Sequence, residues 1–258
     1  MLENEKAPVP LQCNKIREKA MAGHNKWSQI KHKKAKTDAQ KNKQFTKVVK
    51  EIMVAVKAGG DDVEGNPSLR LAIQKAKSVN MPQENIKRAI SKASGSKEAI
   101  NLQECYYEAY GPHSVAILIK ALTDNKNRTV PNLKVILNKN GGRLVEMGSV
   151  SYLFDKKGYL FFKSGCDVDE TMEAAIDAGA EDVFVLDDGS VEMICEVSDF
   201  EKVKSCFEGK HPFFEQASLL MWPKETIPVA EEVKNVVFSL FEALEEDDDV
   251  QEIFTNMR

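Results

Sequence analysis

The sequence predicts a multidomain α+β protein: an N-terminal three-helix domain followed by two α+β domains, the third ferredoxin-like and inserted in the second. Three observations predict it. Apolar residues recur with a helical period up to Gly95 and change to strand-like runs from Cys105. A βαββαβ order spans 158–222, the split βαβ pattern of a ferredoxin-like unit. Finally, a strand-like run at 250–254 stands alone at the end of the chain and needs a partner, for which the hairpin sheet at 105–154 is the natural host. The expected boundaries are an extension over 1–20, a basic helical domain over 21–99, a discontinuous α+β domain of 100–154 plus 227–258, and an inserted domain over 155–226.

The first helix is predicted over about 37–58, with Phe45, Val48, Val49, Ile52, Met53 and Val56 on one apolar stripe and Gly59-Gly60 as its stop. Asn66-Pro67 reads as an N-cap followed by proline at the first helical position. That second helix, 67–79, buries Leu69, Ala72, Ile73 and Ala76. Asn80, with Gln83 three residues on, reads as the cap of a third helix with face Ile86, Ala89, Ile90 and Ala93. Two β-rich runs around Gly111-Pro112 predict a hairpin. A polar loop at 124–129 leads to a helix over 130–140, with Pro131 in its first turn, where a missing N–H costs little.

Strands are expected at 149–154 and 158–163, separated by Asp155-Lys156-Lys157. Then come a helix at 168–178 closed by Gly179, a hairpin of 182–186 and 191–197, a helix at 198–207 capped by Ser198, and a strand at 216–222. A helix over 229–246, with Val233, Val236, Val237, Leu240, Phe241 and Leu244 on one face, runs into the acidic stretch 245–249.

Charge is segregated along this order. Between Met21 and Ala58 stand ten lysines (Lys26, Lys31, Lys33, Lys34, Lys36, Lys41, Lys43, Lys47, Lys50, Lys57) against Asp38 and Glu51, a local +8 in a chain of net −4. Residues 21–97 carry +11 and residues 98–258 carry −16, so a polyanion is drawn to the first hundred residues and repelled by the remainder. The alternative is a solvated, self-repelling face. Trp27, beside Lys26, Lys31, Lys33, Lys34 and Lys36, either offers a ring for stacking or packs with Ile30 on the helical domain. Lys41, Lys43, Lys47 and Lys50 fall mostly off the apolar stripe. Asn125, Asn127 and Arg128 form a second polar cluster, suited to a nucleic-acid backbone or to helix capping. Lysines act as point charges with little base preference, so specificity must come from shape or another surface.

Other function classes find no support. No apolar run reaches the 18 or so residues of a membrane helix. Residues 1–20 mix acids, bases and prolines and match neither a secretory signal nor a transit peptide; either Met21 is the natural start or they form a disordered extension. Five scattered cysteines (Cys13, Cys105, Cys166, Cys195, Cys206) without a CxxC pair fit reduced thiols, with Cys195 and Cys206 as core or half-buried fillers. His24, His32, His113 and His211 lack ligand spacing, and GGDDVEG at 59–65 lacks the lysine of a phosphate loop. Asp187-Asp188 reads as a turn and Asp247-Asp248-Asp249 as an acidic helix end. The expectation is a non-enzymatic protein with no metal, cofactor, membrane or small-molecule partner.

Nine stretches together resemble the YebC/PmpR family, to which the mitochondrial translational activator of cytochrome oxidase belongs: AGHNKW at 22–27, KHKKAKTDAQK at 31–41, NPSLRLAIQKAK at 66–77, NMPQENIKRAI at 80–90, YGP at 110–112, TDNKNRT at 123–129, GSVSYLF at 148–154, AGAEDV at 178–183 and DDVQEIF at 248–254. The resemblance implies a cytoplasmic, non-enzymatic role in gene expression. Its members are described as DNA-binding transcriptional regulators, and some look like translation factors that act on the ribosome and relieve stalling. His113-Ser114 stand where the family commonly has glycines, which predicts a different backbone at that hairpin tip.

Overall fold

The structure, a computed structural model, describes residues 38–95 and 101–258, with the backbone alone for 38–41. Three helices come first: α1 (Asp38–Gly59), α2 (Pro67–Ser78) and α3 (Gln83–Gly95). Their apolar stripes meet in one core, with Ile52, Leu69 and Ala76 fully buried. Asn66 joins two helix ends. Its Oδ1 accepts from Leu69 N (3.1 Å) to cap α2, and its Nδ2 donates to the carbonyls of Ala55 and Gly60 (2.8 Å each) at the end of α1. Asn66→Ala removes a cap and two buried hydrogen bonds, and a loss of about 2 kcal/mol is expected in urea denaturation.

Asn80 is not the cap of α3. It takes a left-handed backbone (φ 57°) and closes α2 in a Schellman arrangement, Met81 N to Ala76 O and Asn80 N to Lys77 O, both 2.9 Å. Asparagine suits either position, and the carbonyls left open by α2 decided which.

Two antiparallel four-stranded sheets follow. The first has the order β3-β1-β2-β8, from β1 (Gln103–Tyr110), β2 (Ala116–Thr123), β3 (Arg143–Val145) and β8 (Val250–Thr255). The terminal strand thus pairs with β2, as its isolation in the sequence required. Helices α4 (Lys126–Lys139) and α7 (Glu231–Glu245) cover one face, burying Leu133, Leu137, Leu240 and Phe241 against Ile117 and Ile119. The second sheet has the order β5-β6-β4-β7, from β4 (Phe154–Phe162), β5 (Asp182–Val185), β6 (Val191–Cys195) and β7 (Phe214–Pro223), backed by α5 (Val168–Ala178) and α6 (Phe200–Phe207). This is the ferredoxin-like arrangement, inserted between α4 and α7 in the chain.

Several elements differ from expectation. Residues 151–153 form a 3-10 turn, and β4 runs unbroken through Asp155-Lys156-Lys157. As a central strand it is held by ladders to both β6 and β7, and Lys157 pairs with Glu181 and Glu196. Gly158 sits where α6 crosses closest: a Cβ there would lie 2.6 Å from Cys195 Sγ and 2.7 Å from the Phe200 ring. Helix α4 begins at Lys126, so Pro131 lies inside it rather than in the first turn. The carbonyl that loses its partner belongs to exposed Asn127, where water can replace the bond. Helix α6 starts after Asp199, not Ser198. Strand β3 is too short to show a period. Cys195 is fully buried, and burial pushes its thiol up to about 11, whereas Cys206 is exposed rather than half-buried.

The three layers meet in different ways. Between the sheets lies an apolar cluster including Leu118, Phe154, Ile194, Leu220 and Phe254, with Trp222 stacked near Tyr159 and Phe184. The helical unit is joined to the sheets mainly by charge. Lys75 on α2 binds Glu51 (2.6 Å) and Glu252 on β8 (2.9 Å), and Lys120 reaches Glu252 (3.8 Å). Gln74 reaches Glu208, and Leu71 adds an apolar contact to the second sheet's core.

Candidate nucleic-acid interface

Lys43, Lys47 and Lys50 lie at i, i+4 and i+7 of α1 and so project from one face. That face meets the C-terminal end of α7. Lys43 Nζ donates to Glu246 O (3.0 Å) and pairs with the Glu246 carboxylate; Lys47 Nζ donates to Glu245 O (2.8 Å). Lys50 Nζ donates to Asp248 O (2.8 Å) and pairs with Asp249 Oδ1 (3.0 Å). The last turn of α7 has no basic residue of its own. Its carbonyls carry the negative end of the helix dipole, and these lysines supply the positive charge it favours.

Asp249 is the centre of this contact. Its carboxylate is buried and accepts from Thr129 Oγ1 (2.9 Å), Thr123 Oγ1 (3.2 Å) and Arg128 Nη2 (3.0 Å), besides Lys50. Burial alone would raise its pKa; the hydrogen bonds from Arg128, Lys50 and Thr129 outweigh burial and hold it below the usual carboxylate range. Arg128 also pairs with Asp124 (2.9 Å).

The candidates from the sequence are therefore placed as follows. Lys26, Trp27, Lys31, Lys33, Lys34 and Lys36 lie outside the described residues, and so does the Lys41 side chain. Lys43, Lys47 and Lys50 are engaged within the chain. Asn125 is the N-cap of α4, its Oδ1 accepting from Arg128 N (3.2 Å), and Arg128 belongs to the Asp249 network; both take the structural alternative open to them. Asn127 is exposed on the first turn of α4. The structure brings two separate basic clusters to one carboxylate, since Lys50 and Arg128 both bind Asp249. The acidic stretch 245–249 that receives them carried only the meaning of a helix end in the sequence. Its complementarity to the +8 stretch was the signal available.

At the opposite end of β1 the hairpin tip keeps a glycine-like backbone although it has no glycine: His113 and Ser114 have φ of 56° and 60°. The Gly111 N to Val115 O bond (2.8 Å) closes this short loop. A left-handed residue other than glycine costs about 1–2 kcal/mol. Against glycine's entropy cost of about 0.5–1 kcal/mol, Ser114→Gly is expected to stabilise the protein by roughly 0.5 kcal/mol in denaturant titrations.

Residues 25–96 match the TACO1/YebC protein N-terminal domain, and residues 102–257 match the TACO1/YebC second and third domain. The chain belongs to the TACO1/YebC family. It is 46% identical over 237 residues to a "Probable transcriptional regulatory protein" of Desulfosudis oleivorans, covering 92% of this chain and 96% of that protein. A protein of the same description from Polynucleobacter asymbioticus is 46% identical over 236 residues, covering 92% and 99%. A crystal structure of a conserved hypothetical protein from Aquifex aeolicus superposes with a TM-score of 0.81 at 42% identity, covering 90% of this chain and 96% of that one. The arrangement of helical unit and two sheets is thus shared with the Aquifex aeolicus protein, and the curated relatives are named as probable regulators of transcription. Among the described residues no helix is long and apolar enough to cross a membrane.

Proposed function

We propose that this protein is a non-enzymatic, cytoplasmic, nucleic-acid-binding regulator of gene expression, acting on DNA as a transcriptional regulator. The observation that carries this reading is the charge division: ten lysines in the first 37 residues after Met21, on a chain whose residues 98–258 sum to −16. The names of its relatives agree. The binding surface is the basic stretch Lys26–Lys50, with Trp27 as a stacking ring.

A second reading is a ribosome-associated translation factor that grips ribosomal RNA. One observation favours it. The basic stretch is made of lysines, point charges that grip a phosphate backbone with little preference among bases. The deciding experiment is crosslinking in cells followed by sequencing of attached DNA and RNA. Enrichment of promoter DNA supports the first reading. Recovery of ribosomal RNA with co-sedimentation on ribosomes replaces it with the second, and recovery of neither nucleic acid removes both.

A further inference from the structure

The three α1 lysines that face α7 have a second consequence, resting on the nucleic-acid reading above. We propose that the C-terminal end of α7, with residues 245–249, occupies in cis the surface of α1 that nucleic-acid phosphates take, so that the protein must release this clasp to bind with its full basic face.

The geometry supports it at each position. Five oxygens from Glu245, Glu246, Asp248 and Asp249 meet three ammonium groups spaced along one helix face. Carbonyl and carboxylate oxygens at the negative end of a helix present the same chemistry as phosphate oxygens: closely spaced acceptors in a negative potential. The contact opens most readily at its Lys43 end, since Lys50 and Asp249 are largely buried. Lys43 and Glu246 are both substantially exposed, at 39% and 63%, and such pairs are weak and screened by salt. The helical unit docks mainly through ion pairs, whereas the two sheets share an apolar cluster. A polyanion competes with the first kind of contact and leaves the second intact. The clasp therefore also discriminates, because isolated anions cannot replace several acceptors at once while a phosphate backbone can.

A zero-length crosslink tests this on the unaltered chain. A carbodiimide activates the Glu246 carboxylate, Lys43 Nζ displaces the activated oxygen, an amide forms, and the carbodiimide leaves as its urea carrying the water lost. Peptide mapping measures the Lys43–Glu246 link. The partly linked sample is then incubated at low salt with mixed-sequence duplex DNA and, separately, with a ribosomal RNA fragment, and bound and free protein are mapped. Linked molecules should be depleted from the bound fraction by about a hundredfold, because three phosphate contacts are withheld. The unlinked control Lys43→Gln, which loses a single charge, should bind less than about tenfold more weakly. Linked molecules that bind as well as unlinked ones would overturn the clasp and leave the nucleic-acid reading standing. If unlinked protein binds neither polymer, the nucleic-acid reading fails and the clasp falls with it.

Discussion

Asp249→Ala is expected to cost about 3 kcal/mol, because Lys50, Arg128, Thr123 and Thr129 converge on its buried carboxylate. The partners of Asp249 contribute unequally. Arg128 is half exposed, so its share of the pair is small and screened. Buried Thr123 would lose the acceptor of its hydroxyl, whereas Thr129 would still donate to the Asn125 carbonyl (3.1 Å); Lys50, only 18% exposed, would keep the Asp248 carbonyl (2.8 Å) but lose its counter-charge. Asp249→Asn keeps the shape and some acceptors, and should lose about half as much. Urea titration followed by tryptophan fluorescence reads both variants; a loss under about 1 kcal/mol for alanine would mean the network adds little to stability.

The pH dependence has a definite sign. The folded-state pKa of Asp249 is depressed, so the stabilisation is complete above the ordinary aspartate pKa near 3.8 and is lost as pH falls through the lower folded value. Wild type should therefore lose stability below about pH 4 more steeply than Asp249→Asn.

Replacing Lys31, Lys33, Lys34 and Lys36 together by alanine should weaken nucleic-acid binding by roughly 10³-fold at 0.1 M salt, with all four on duplex phosphates. The log–log salt slope should fall by about 3–4, at roughly 0.9 per contact. The loss should be even across promoter and scrambled sequences, because an ammonium reads charge and not base. Titrations at several salt concentrations measure both quantities. An unchanged slope would show that these lysines are simply solvated.

Much of the fold was legible because periodicity and punctuation act locally. The stripes of α1 and α7, the Asn66-Pro67 start of α2 and the βαββαβ order each need only neighbours in sequence to be recognised. The failures share a cause. Asn80 had to choose between capping one helix and closing another, and β4 crosses three polar residues because its partners lie about 35 and 60 residues away in the chain. Strand β3 exists only through its pairing with β1.

The candidate site divides in the same way. The sequence by itself determined the family, the α+β class, the pairing need of the last strand and the accumulation of lysine after Met21. These follow from local pattern and from counting charge. Only the tertiary structure decided where Lys43, Lys47 and Lys50 point. It set them on the carbonyls of α7 and on Asp249, beside Arg128 from the first turn of α4, about eighty residues farther along the chain. The physical reason is that a lysine is a mobile point charge, and its partner is whichever negative group the fold brings within reach.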